Sequence, residues 1–88
     1  MTESNLELSK IKWRCRRGTK ELDFLLLSYF NERYLEAEKE DKNAFLRLLE
    51  LQDPLLIEFF AVPKKIQDLG IQRIILDILG NDRGYQIK

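Results

Sequence analysis

Apolar residues recur along this chain at the helical period, and no strand-like alternation lasts beyond a few positions. The spacing predicts a first helix over residues 5–16. It puts Leu8, Ile11 and Cys15 on one face, with Leu6 and Trp13 nearly opposite. Ser4 followed by Glu7 matches a capping box at its start. Gly18 then supplies a stop or tight turn, because glycine tolerates positive φ. A second helix over 20–37 carries Leu22, Leu25, Leu26, Tyr29 and Phe30 on one stripe, with Phe24 and Leu27 beside it. A helix apolar over so much of its girth belongs at the centre of a fold, with partners on more than one side.

A third helix starts near Asp41, a good N-cap, turns Phe45, Leu48 and Leu49 inward, and ends near Gln52. "DPLL" restarts the chain, with Asp53 as N-cap and Pro54 at the first helical position, where a missing N–H costs nothing. This short helix, residues 54–60, has Leu56, Phe59 and Phe60 to bury, and Pro63 sits in the connector. The last helix starts near Asp68, aligns Ile71, Ile74, Ile75, Ile78 and Leu79, and is closed by Gly80. The tail over 81–88 has no pattern and is expected to be flexible. The fold class is all-α: a small single-domain bundle of about five short helices over residues 1–88.

At 88 residues and 44% hydrophobic, the chain can build one modest core. A binding surface suits that size better than an enclosed active site. The sequence contains no histidine, so the commonest general base and metal ligand are missing. Two-histidine zinc sites and Ser/His or Cys/His nucleophile systems are excluded, and neither catalytic residues nor a metal site is expected. The single cysteine allows no internal disulfide and fits a reducing compartment. No apolar run reaches membrane-span length, and the N-terminus has no apolar signal core, so a cytoplasmic protein is the simplest expectation.

Charge changes this picture. The chain has 15 basic and 15 acidic residues, and a zero balance argues against nonspecific nucleic-acid binding. The charges are segregated, however. Lys10, Lys12, Arg14, Arg16, Arg17 and Lys20 crowd together with no acid among them, while Glu32, Glu36, Glu38, Glu40 and Asp41 follow later. The molecule should therefore have one positive end. The acidic stretch lacks the oxygen-ligand spacing of a calcium loop and reads as a solvated helix end.

The stretch "RRGTKELD" admits two readings. In the plain one, Gly18 is a turn, Arg16 and Arg17 sit at a helix C-terminus, and Glu21 complements the next helix dipole. In the functional one, the positive lip attracts an acidic or phosphorylated partner. Trp13 favours the second, since it leaves the face of Leu8 and Ile11 and falls beside Arg14 and Arg17. Aromatic plus arginine is a common make-up of interface hot spots. Cys15 shares the buried stripe and is expected to be an inert thiol.

Arg17, Gly18, Thr19, Lys20, Glu21, Leu22 and Asp23 spell Arg-Gly-x-x-Glu followed by Leu-Asp. Phe45, Leu48, Leu49, Asp53 and Leu56 form a second block. In this order and spacing the two blocks resemble the small succinate dehydrogenase assembly factors, the flavinator family, also known under an antitoxin-like description. The resemblance runs from Ile11 to Phe60. This chain departs from the family pattern at Thr19, often methionine, and at Phe59, usually tryptophan.

The resemblance implies a chaperone-like assembly factor that binds the flavoprotein subunit of succinate dehydrogenase, and in bacteria also that of fumarate reductase. Such factors promote covalent attachment of FAD to a histidine of that subunit. No cofactor would be held stably here. The basic cluster suits the flavin pyrophosphate and acidic protein equally. Partner-binding residues would be Arg17, Gly18 and Glu21, with Trp13, Arg14, Arg16 and Asp23 around them. Arg17 could fork onto a partner carboxylate or carbonyl, and Glu21 could pair with a partner cation or fix Arg17. A free monomer is expected. The rivals are an antitoxin-like or other protein-binding module, and a helix-turn-helix around Gly18 that binds nucleic acid. The second helix is too apolar to enter a groove.

Overall fold

The computed structural model describes residues 5–81. Its α-helices run in the order α1 (Asn5–Arg14), α2 (Lys20–Glu32), α3 (Lys39–Leu49), α4 (Asp53–Ala61) and α5 (Leu69–Asn81). Short 3-10 turns lie at Tyr34–Glu36 and Pro63–Lys65. No strand occurs among the described residues, and the all-α bundle is as the periodicity predicts. The capping box at Ser4 and the tail beyond residue 81 lie outside the described residues.

The apolar stripes explain the packing. α2 is central and buries Leu22, Leu25, Leu26 and Tyr29 while meeting both α4 and α5. α3 brings Ala44, Phe45, Leu48 and Leu49 to the core and lies against α5, which buries Ile71, Ile74, Ile75 and Ile78. α1 adds Ile11, Cys15 joins the core just past its end, and the opposite face of α1 leaves Leu6 and Trp13 exposed. Each fully buried large apolar side chain is worth roughly 1.5–3 kcal/mol. Asp68 caps α5: its Oδ1 accepts from Gly70 N–H at 2.9 Å and Ile71 N–H at 3.2 Å.

Several boundaries differ from the sequence expectation. α2 stops at Glu32 instead of continuing to residue 37. The 3-10 turn that follows drops Tyr34 fully into the core, with ring centroids 5.4 Å from Phe30 and 5.6 Å from Phe45. Burying that ring outweighs one more turn of helix through an acidic segment. α3 starts earlier, at Lys39, with Glu38 rather than Asp41 at the N-cap. Asp41 instead accepts a bond from Arg73 Nη2 of α5 at 2.7 Å. Gly80 does not close α5, which continues to Asn81. At α4 the N-cap is Gln52, and Asp53 is already helical. The carboxylate of Asp53 has another task.

Candidate partner-binding edge around Gly18

α1 ends at Arg14 because the chain tightens there: Cys15 N–H donates to Lys12 O, and Arg16 N–H to Trp13 O, both at 3.1 Å. The Cys15 thiol donates to Ile11 O at 3.4 Å in the interior. Burial pushes that thiol up to about 12, against the opposing pull of Arg17 and Arg14. It is not a reactive cysteine. α2 then begins under an N-cap from Thr19, whose Oγ1 accepts from Leu22 N–H at 3.1 Å.

Between the two helices Arg17 is turned inward, and its side chain is only 13% exposed. Its Nε donates to Asp53 Oδ1 at 3.0 Å. Nη1 donates to Arg14 O at 2.9 Å and Leu49 O at 3.1 Å, and Nη2 donates to Leu51 O. Those carbonyls lie where α1 and α3 end and lack helical partners, so one guanidinium caps two helix C-termini. The Arg17 N–H donates to Asp23 Oδ1. Arg17 is therefore the frame of the edge and has no free fork for a partner.

Gly18 completes the frame. Its N–H donates to Asp53 Oδ2 at 2.8 Å, so one carboxylate holds both residues of the Arg-Gly pair. Its φ is not positive, and the sequence argument for glycine from turn geometry does not apply. Close approach is the reason: a Cβ on Gly18 would stand 3.1 Å from Asp53 Oδ2. Sequence reasoning missed this role of Asp53, which lies 36 residues from Arg17. The local signal pointed elsewhere, because Asp-Pro at a helix start reads as an N-cap.

The other sequence-predicted residues divide into two groups. Asp23 is half-buried and belongs to the frame, with its Oδ2 4.0 Å from Arg16 Nε. Glu21, Trp13, Arg14 and Arg16 face outward. Trp13 is 73% exposed, and the Arg16 guanidinium lies 6.0 Å from its ring centroid, at the outer range of a cation–π contact. Glu21 does not reach Arg17; it borders an apolar groove of about 260 Å³ between α2 and α4, with Leu22, Leu25, Ile57 and Phe60. Gly18 is itself exposed, and the exposed Trp13, Arg14, Arg16 and Glu21 all lie within five residues of it in the chain. Among the described residues no cluster of side chains is spaced to hold a metal ion. Among the described residues no helix is long and apolar enough to cross a membrane.

Residues 9–81 match the family described as flavinator of succinate dehydrogenase. The chain belongs to that family. Among curated relatives, it is 33% identical over 75 residues to the FAD assembly factor SdhE of Shewanella oneidensis, covering 85% of this chain and 92% of the relative. It is 36% identical over 78 residues to the FAD assembly factor SdhE of Pectobacterium atrosepticum, covering 86% and 89%. With the protein of the same description from Coxiella burnetii the identity is 38% over 77 residues, covering 74% and 94%. No solved structure matches the chain. The matched span of this flavinator-family chain contains the whole Gly18 edge and the Asp53 that holds it.

Proposed function

We propose that this chain is a FAD assembly factor that docks on the flavoprotein subunit of succinate dehydrogenase, and of fumarate reductase where present, through the Gly18 edge. It promotes covalent attachment of FAD to a histidine of that subunit. The observation that carries this reading is the double grip of Asp53 on Arg17 and Gly18, at 3.0 and 2.8 Å. It fixes the exposed backbone of Gly18 in the same stretch of chain as the exposed Trp13, Arg14, Arg16 and Glu21. The chain has no histidine, so the flavin-linking residue must come from the partner.

The factor is not itself an enzyme in this proposal. It acts as a monomer in the cytoplasm and leaves the FAD with its partner. By binding one conformation of the flavoprotein more tightly than others, it raises the population in which the histidine meets the flavin. Because Arg17 is committed internally, partner contacts fall to the exposed group. Trp13 is the anchor, Arg14 and Arg16 meet partner carboxylates, and Glu21 meets a partner cation at the mouth of the groove.

The test uses apo flavoprotein incubated with FAD, with and without this chain, and reads covalent flavin by fluorescence on a denaturing gel. Wild-type chain should strengthen the flavoprotein band. Gly18→Arg should not, while its circular dichroism remains helical. Near-normal flavinylation with Gly18→Arg would refute docking at this edge.

A further inference from the structure

The far end of α2 carries a feature that the Gly18 edge does not use. α2 spans 13 residues, roughly 20 Å, so its two ends are well separated. Past its last turn a cavity of about 420 Å³ opens against the 3-10 turn Tyr34–Glu36, the start of α3 and α5. Its walls carry five acids, Glu32, Glu36, Glu38, Asp41 and Asp77, against one cation, Arg33, with Tyr29 beside them. Two of the acids are neutralised within the fold: Asp77 pairs with Arg33 at 3.0 Å and Asp41 with Arg73 at 2.7 Å. Glu32, Glu36 and Glu38 are exposed, and none has an ion-pair partner among the described residues.

Tyr29 adds a buried hydroxyl to this acidic wall. It is 3% exposed and sits in the cavity wall, its ring fixed against Phe45 at a centroid distance of 4.8 Å. Its hydroxyl makes no hydrogen bond to any described residue. A buried hydroxyl normally has a partner, because leaving it unpaired costs free energy. Burial, with Asp41 and Asp77 nearby, pushes the phenol up to about 12, so it stays neutral and its oxygen can accept a bond.

We propose that this cavity receives an arginine side chain from a basic segment of a protein partner, its guanidinium facing Glu32, Glu36 and Glu38 and donating one N–H to the Tyr29 hydroxyl oxygen. The chemistry selects this occupant. Three unpaired carboxylates call for a cation, but the described residues hold no cluster tight enough for a metal ion. A planar guanidinium with five donors spans separated acceptors and is more easily desolvated than an ammonium. The volume leaves room for the group and for water around it.

The test needs no flavoprotein, so its failure would leave docking at Gly18 untouched. The full chain is titrated with N-acetyl-arginine amide at low ionic strength, and amide and tyrosine-ring resonances are followed by NMR. Saturable shifts are expected over residues 32–38 and on the Tyr29 ring, and the neutral isostere N-acetyl-citrulline amide should bind at least about tenfold more weakly. Tyr29→Phe, which keeps the ring packing, should weaken binding about fivefold, the effect of one hydrogen bond. Glu36→Gln, at an exposed position, should weaken it similarly, and Gly18→Arg should leave it unchanged. Absence of saturable shifts would overturn the proposal. So would equal binding of the citrulline amide, or indifference to both Tyr29→Phe and Glu36→Gln.

Discussion

Asp53 grips Arg17 and its neighbour with the two oxygens of one carboxylate: Oδ1 takes Arg17 Nε at 3.0 Å, and Oδ2 takes the Gly18 N–H at 2.8 Å. This contact joins the start of α4 to the linker between α1 and α2. It makes the Arg-Gly motif a structural device first and an interaction surface second. A long-range pair in a half-buried setting tolerates change poorly, since loss of one partner leaves the other charge uncompensated.

Asp53→Asn should therefore destabilise the fold by about 2 kcal/mol, the scale of a hydrogen bond to a charged group. Arg17→Lys should cost a similar amount, because an ammonium cannot reach Asp53, Leu49 O and Leu51 O together. Urea unfolding measures both. Flavinylation should fall in each variant and recover in part on cooling or with a stabilising cosolvent. A loss of flavinylation at unchanged stability would instead make Arg17 a direct partner contact.

Trp13 should behave in the opposite way. At 73% exposure it contributes little to the core, and Trp13→Ala should stay within about 0.5 kcal/mol of the parent stability. Its binding to the flavoprotein should weaken about 30-fold, the effect of losing a hot-spot aromatic. Calorimetric titration against the flavoprotein separates the two quantities. Unchanged affinity would remove Trp13 from the interface.

Alkaline pH should unfold this protein through groups that it keeps protonated. Cys15 is pushed from 9.0 to about 12, and Tyr29 from 10.0 to about 12, in both cases chiefly by burial. The unfolded chain thus releases these protons at lower pH than the folded chain. Stability is full below about 9 and falls as pH rises toward about 12. Urea midpoints measured across that window should decline, and Tyr29→Phe should flatten the decline. Thiol-specific reagents should modify Cys15 only on unfolding.

Asp68 links a cap to an ion pair. Its carboxyl is held below the usual range, first by the hydrogen bond from Arg47. Asp68→Ala should cost about 1 kcal/mol, the usual value of an N-cap. The contribution is present above the ordinary carboxylate pKa and is lost as pH falls through the depressed value. Thermal melts at acidic and neutral pH should show the variant and parent converging in acid.

Local periodicity and chemistry determined much of this protein. Leu22, Leu25, Leu26 and Tyr29 fall on one stripe whatever surrounds them, so α2 and its central place were legible from the chain. So were the buried thiol of Cys15 and the outward face of Trp13, because the turn after Arg14 keeps Cys15 on the side of Ile11 that the helical spacing gives it. The tertiary structure decided what depends on contacts distant in sequence. α2 stops at Glu32 because Tyr34 finds a pocket against Phe30 and Phe45, which no local propensity encodes. Asp53 has the features of an N-cap in sequence, yet its carboxylate serves Arg17 and Gly18, since only the folded chain brings positions 36 residues apart into hydrogen-bond range. For the same reason the sequence marked Arg17 as a residue that matters, while packing assigned its guanidinium to the interior and left the outer surface to Trp13, Arg14, Arg16 and Glu21.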